Sequence, residues 1–195
     1  MNYFSNVTSE TNEYCYDMAA QLNMLSVDDM ERAYGVILSA LKNGNRLFVA
    51  GNGGSAANAN HFACDINNEM SSKNFNKEAK VISLCESIPR ITALANDYGY
   101  EYVFSMQIED ICSDDVLVLL SVSGESQNLV NALIAAKEEG VTVISVVARE
   151  STLSEMSDCS IIFGNGDYGI SEDFQSVFFH ILKRKINDGA DHIYK

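Results

Sequence analysis

Five short apolar runs, each set off from the next by a stretch with helical spacing, limit what this chain can fold into more than any other feature. They cover residues 47–50, 80–84, 116–120, 142–147 and 159–163. Strands that alternate with helices need crossover connections, and such crossovers are right-handed. The pattern therefore predicts an α/β chain, a three-layer αβα sandwich around a mostly parallel five-stranded sheet. Helices are expected over residues 56–68, 88–96, 103–111 and around 129–136, with a last one from about Ser171 to Asn187. Pro89 falls in a first helical turn, where it is tolerated.

Two more helices precede the first strand. One covers residues 7–24. The other starts after a Ser26 cap, carries Asp28 and Asp29 in its first turn, and ends at Gly44. They have no obvious strand to cover, which leaves an oligomer-forming appendage or a plain packing pair. The chain has 195 residues, enough for one sizeable core and short for two domains. No apolar run has membrane-spanning length, and the polar N-terminus has no basic flank of a secretory signal, so no membrane partner is expected. The five cysteines are scattered, odd in number and free of a CxxC pair, as expected for reduced thiols in a cytoplasmic protein. The net charge of −14 argues against a nucleic-acid partner. It does not forbid a phosphorylated ligand, because a helix N-terminus can hold one phosphate within an acidic protein.

Two loops after strands carry the first chemistry. Residues 120–126 read Leu-Ser-Val-Ser-Gly-Glu-Ser, so Ser121, Ser123 and Ser126 stand between an apolar strand and a helix. Hydroxyls and unpaired first-turn N–H groups at a helix N-terminus favour a bound anion. A single serine would suffice as a cap, and three favour phosphate. The second loop, Gly51-Asn52-Gly53-Gly54-Ser55, is neither a Walker loop nor GxGxxG, and a tight strand-to-helix turn explains it equally well. Ligands of parallel sheets bind beyond the strands' carboxyl ends, so both loops could face one crevice.

His61 and Asp65 follow on the next helix at i and i+4, on one face, with Glu69 one turn further. Cys64 lies off that stripe and reads as packing. His180 sits on the last helix, His192 close to the C-terminus, and Asn96-Asp97 at a helix end.

Gly51-Asn52-Gly53-Gly54-Ser55-Ala56-Ala57, His61-Phe62-Ala63, residues 95–100 and residues 121–128 together resemble the sugar isomerase (SIS) domain family, and within it the phosphoheptose isomerases. The resemblance runs over nearly the whole chain and includes His180-Ile181-Leu182. It implies a single domain over residues 1–195, with 1–44 as oligomerisation helices, and a homotetramer with active sites at subunit contacts. It implies an aldose–ketose isomerase that converts sedoheptulose 7-phosphate for heptose synthesis, with no organic cofactor. Sugar-phosphate contacts would fall to Asn52, Gly53, Ser55, Asp97, Ser121, Ser123, Ser126 and Glu172, and acid–base work to Asp65 and His180. Some members bind zinc, which here would involve His61, Asp65, Glu172 and His180, one ion per subunit.

The chain departs from the family pattern in five places. Asp65 replaces a glutamate, Val122 a threonine, Glu69 an arginine, Gly169 an aspartate and Glu172 a glutamine. Another phosphosugar, or a non-catalytic phosphosugar-binding or protein-interaction module, stays open on that account. One geometric tension is visible too. Glu172 and His180 are eight residues apart, roughly 12 Å along a regular helix, which is far for one ion. Two carboxylates would also blunt a metal's Lewis acidity.

Overall fold

The computed structural model describes residues 7–72 and 76–187. In chain order its elements are α1 (Val7–Met24), α2 (Val27–Asn43), β1 (Arg46–Gly51), α3 (Gly54–Ser72), β2 (Lys80–Ser83) and α4 (Ile88–Asp97). After two single 3₁₀ turns come β3 (Val116–Ser121), α5 (Gln127–Glu138), β4 (Thr142–Val147), α6 (Thr152–Met156), β5 (Cys159–Ile162) and α7 (Tyr168–Ile186). His192 lies outside the described residues.

The five strands form one sheet in the order β2-β1-β3-β4-β5, with every pairing parallel. All of β3 is buried, as is all but the first residue of β1 and of β4. Both faces of the sheet are covered, which is why these strands read as Val, Leu and Ile runs without polar alternation. The chain moves one way from β1 to β2 and the other way from β3 to β5. With right-handed crossovers, α3 and α5 therefore lie on opposite faces. β1 and β3 are neighbours, Gly51 opposite Leu120, so the loops that leave them diverge at the switch point of the sheet.

The helices α2, α3 and α7 are joined by aromatic contacts. Tyr34 of α2 stacks on Phe178 of α7 with centroids 4.8 Å apart, and Phe62 of α3 stacks on Phe179 at 3.7 Å. The Tyr34 hydroxyl also donates to the Phe178 carbonyl at 2.9 Å. The two N-terminal helices differ in role. Met30, Ala33, Tyr34, Ile37, Ala40 and Leu41 of α2 are buried against the sheet, so α2 is a core helix, whereas α1 buries no residue.

Three details differ from expectation. Residues 103–111 form no continuous α-helix; 3₁₀ turns at Tyr100–Tyr102 and Ser105–Gln107 stand there instead. The Gln107 amide donates to the Leu84 and Val103 carbonyls, and burial of Val103, Phe104, Ile108 and Ile111 fixes the segment without the cost of nucleating a longer helix. The last helix begins three residues early, because the Asp167 carboxylate caps it by accepting from the Ile170 N–H at 2.9 Å. α6 was not anticipated; a Ser151–Ser154 capping box starts it.

A charge cluster ties the strand ends remote from the two loops. Asp115, buried just before β3, accepts from the Arg46 backbone N–H at 2.8 Å, from Arg46 Nη2 at 2.6 Å and from the Cys112 N–H at 3.1 Å. Burial alone would raise its pKa, but these donors outweigh burial and hold the carboxyl below the usual range. A depressed folded pKa means stability that is present above the unfolded value, near 4, and lost as pH falls through the folded one. Asp115→Asn should cost about 2 kcal/mol at pH 7, since Arg46 keeps Asp110 as a partner. The wild type's lead should shrink below about pH 4, read as urea midpoints at each pH.

Candidate active site

The loops after β1 and β3 line one crevice of about 250 Å³, whose walls include Asn52, Gly53, Ser55, Ser121, Val122, Ser123 and Ser126. Gly53 and Gly124 hold positive φ, +57° and +69°. A Cβ on Gly124 would also collide with the Ser151 hydroxyl, so that turn needs glycine twice over. Ser121 Oγ accepts from the Gly124 N–H at 3.0 Å and Ser123 Oγ from the Glu125 N–H at 3.2 Å. Ser126 is the N-cap residue of α5, yet its side chain makes no capping bond. Ser126 lines the crevice, so its hydroxyl is left available to a ligand rather than spent on a cap.

Glu125, the acidic residue of the loop, serves α6. Its carboxylate accepts from the Thr152 hydroxyl at 2.6 Å and N–H at 2.9 Å, and these bonds lower its pKa. Asn52 and Asn128 exchange amide hydrogen bonds at 3.0 and 2.9 Å, and the Tyr100 hydroxyl donates to Asn52 Oδ1 at 2.8 Å. This network fixes the start of the glycine loop against α5. No Lys or Arg lines the crevice among the described residues, so hydroxyls and helix-start N–H groups are what it offers an anion.

Glu172 and Tyr168 of α7 close the same crevice. The Glu172 carboxylate stands over Gly54, the first residue of α3, where any Cβ would overlap it. That is the positive end of the α3 dipole, a favourable seat for a carboxylate. Asp97 is placed elsewhere. It is exposed at the end of α4, its Oδ1 accepting from the Asn96 amide at 2.9 Å, and it lines neither cleft of this chain.

A second, smaller cleft lies further along α3, where it meets α7. Its walls are Asn58, His61, Phe62, Asp65, Ser176, Phe179 and His180. Phe62 and Phe179 form its apolar floor. Their sequence neighbours His61 and His180 meet edge to face, with ring centroids 5.4 Å apart. His61 Nε2 is 3.6 Å from Asp65 Oδ2, and Lys183 Nζ donates to that oxygen at 2.9 Å. Asn58 locks the helices in register, donating to the Glu172 carbonyl at 2.8 Å and accepting from the Ser176 hydroxyl at 2.9 Å.

One donor atom from each of His61, Asp65 and His180 lies within 4.8 Å of the others. Two imidazole nitrogens and a carboxylate oxygen suit zinc, whose tetrahedral donors stand about 3.3 Å apart, so modest side-chain rotation fits these three to one ion. Glu172 is not among them. It is two turns back along a regular α7, in the other crevice, so the four-residue ligand set expected from sequence is not assembled within one chain. Sequence reasoning passed over Tyr168 and Lys183. Lys183 lies three residues after His180 and so on its face, but nothing in the sequence shows that this face meets Asp65.

The chain belongs to the SIS domain family, which it matches over residues 13–148. Within that family its relatives are phosphoheptose isomerases. It is 30% identical to the phosphoheptose isomerase of Campylobacter concisus over 184 residues, 93% of this chain and 95% of that one. It is 32% identical to that of Aliarcobacter butzleri over 167 residues, 85% of this chain and 87% of that one. Among solved structures, the phosphoheptose isomerase of Neisseria gonorrhoeae superposes with a TM-score of 0.82 at 27% identity, over 93% of this chain and 97% of the other.

The carboxylate of Glu172 shares its crevice with the hydroxylic residues Ser55, Ser121, Ser123 and Ser126, where it would repel a bound anion. Glu172→Gln should therefore bind inorganic phosphate about fivefold more tightly, roughly 1 kcal/mol of removed repulsion across a solvated cleft. Isothermal titration calorimetry of both proteins at one ionic strength checks this.

Proposed function

We propose that this chain interconverts D-sedoheptulose 7-phosphate and D-glycero-D-manno-heptose 7-phosphate, an aldose–ketose isomerisation that feeds heptose into surface polysaccharide. The observation that carries the reading is the meeting of Asp65 and His180 on the facing walls of α3 and α7, in a chain of this family. The reaction moves hydrogen between adjacent carbons. A base takes a proton from C1 of the open-chain ketose while an acid protonates the C2 carbonyl oxygen, giving an enediol. The proton then returns to C2 as the C1 hydroxyl loses its own and becomes the aldehyde. Asp65 and His180 supply these two functions between them. The serine crevice holds the terminal phosphate through Ser55, Ser121, Ser123 and Ser126, and so turns remote binding into orientation at C1 and C2.

We take the site to be built from more than one subunit. Ser55 and Asp65 are ten residues apart on α3, about 15 Å along its axis. From phosphorus to C1 an open-chain heptose phosphate has about eight bonds of roughly 1.5 Å, ~12 Å of contour, so with a contact of about 3 Å at each end only a nearly extended sugar joins the two within one chain. In the assembly the phosphate crevice of one chain would serve the Asp65–His180 pair of a neighbour, and Glu172 and Asp97 would reach the reacting sugar across that contact. The N-terminal helix suits such an assembly: α1 leaves Val7, Tyr16, Leu22 and Met24 exposed. A homotetramer in the cytoplasm is the reading we adopt. No helix of the described residues is long and apolar enough to cross a membrane.

His61, Asp65 and His180 would also be the zinc-holding residues. Bound there, the ion would polarise a sugar oxygen as a Lewis acid. No organic cofactor is required by the reaction.

Asp65→Asn and His180→Ala should each lower ketose-to-aldose turnover by about 10²–10⁴-fold, followed as carbon-bound proton exchange in heavy water. Undiminished turnover in either would remove that residue from the mechanism. Mixing dissociated Asp65→Asn and Ser126→Ala proteins and reassembling them should restore part of the lost activity. Reassembled mixtures no more active than the parents would argue for a site within one chain.

A further inference from the structure

Lys183 is the one ammonium group seen against the cluster of His61, Asp65 and His180 among the described residues. Its Nζ donates at 2.9 Å to Asp65 Oδ2, the same oxygen that lies 3.6 Å from His61 Nε2. The contact is half-sheltered: Lys183 and Asp65 side chains are 35% and 26% exposed. Among the described residues no other acidic side chain joins the cluster, so within one chain an ion held by the two imidazoles takes the Asp65 carboxylate as its third ligand. Such an ion would meet an ammonium already hydrogen-bonded to the oxygen nearest His61. Either Lys183 withdraws and the pair is broken, or two positive centres share one carboxylate at close range.

We propose that Lys183 is a built-in competitor for the metal. Its ammonium satisfies the Asp65 oxygen that a zinc ion at His61, Asp65 and His180 would use, so the lysine sets how weakly this chain takes up zinc. In the ion-free protein the same contact holds Asp65 toward His180 and compensates its charge. Lys183 is thus a positioning residue, acting on the sugar only through Asp65. The inference rests on the ligand set assigned above. It concerns affinity, so it stands apart from whether the chain turns over sedoheptulose 7-phosphate.

The test is zinc binding by the full-length chain, stripped with chelator and titrated against a chromophoric competitor in the absence of substrate. Lys183→Met keeps an unbranched stem one atom shorter, retains the helix preference and removes the charge. It should bind zinc about tenfold more tightly than wild type, a step within the range by which groups around the ligands tune metal sites. Lys183→Arg should stay close to wild type. Adding His61→Ala to Lys183→Met should abolish the gain, which places the ion at this cluster. Circular dichroism at matched concentration checks that each variant is folded. Equal or weaker zinc binding by Lys183→Met would overturn the proposal. Binding by neither protein would overturn it together with the ligand set, while the isomerase reading would still be decided by its own turnover assay.

Discussion

The stack of Phe62 on Phe179 is the contact on which the cleft of His61, Asp65 and His180 depends. It joins α3 to α7 at 3.7 Å between ring centroids, and it brings the adjoining residues His61 and His180 to one cleft. Asn58, one turn before Phe62, fixes the sliding coordinate through bonds to the Glu172 carbonyl and to Ser176. A helix pair held only by apolar packing could shift by part of a turn at low cost. The polar lock and the stack together leave one register, in which Asp65 faces His180. Below them, Tyr34 on Phe178 ties α7 to α2 and so to the sheet. Precision at the cleft is therefore inherited from the core and not supplied by the loop residues.

The serine crevice rests on a different constraint, the reversal of winding direction between β1 and β3. Neighbouring strands whose crossovers leave on opposite faces must part at their carboxyl ends, and the space so opened is lined by backbone N–H groups and small hydroxylic side chains. This is how a chain of net charge −14 could offer an anion a seat with no lysine or arginine on its walls among the described residues. The cost of binding without cations is sensitivity to any nearby carboxylate. Glu125 belongs to the serine loop and Glu172 to α7, and the fold treats the two carboxylates differently. Glu125 is taken up by the Thr152 end of α6, while Glu172 remains within the crevice over Gly54.

How much of this could be read beforehand followed from which forces are local. The buried strands were legible, because a run such as Val116–Ser121 has no polar face to conceal it. The two loops were legible as glycine and serine clusters at strand ends, and their shared crevice followed from the parallel sheet. The segment at 103–111 was not, because its apolar spacing suits a helix while tertiary contacts of Gln107 and Phe104 decide for tight turns. Nor was the early start of α7, since Asp167 between Gly166 and Tyr168 resembles loop until its carboxylate is seen on the Ile170 N–H. That start also bears on Glu172. With α7 regular from Tyr168 onward, Glu172 and His180 stand about 12 Å apart along its axis, and Glu172 lines the other crevice. Lys183 was hidden for a further reason. A pairing between two helices 118 residues apart has no trace in either helix's own pattern.

The departures from the family pattern look less like decay when charges are placed in space. The resemblance puts a longer carboxylate at 65 and an arginine one turn later on α3. This chain has Asp65 and Glu69 there, which removes positive charge from α3 and shortens the acid by a methylene. A shorter acid held by the same backbone stays nearer its own helix. A cation must then come to it from the facing helix, and lysine has the longest unbranched stem available for that reach. Lys183, on the face of α7 that carries His180, makes the contact at 2.9 Å. In this chain the positive partner of the carboxylate stands on α7 and not on α3. A scaffold relieved of chemistry would have no physical reason to keep a carboxylate, an imidazole and a compensating ammonium in one small cleft. Loss of function would more naturally leave the acid unpaired or replace it, since a half-sheltered carboxylate with no partner only costs stability.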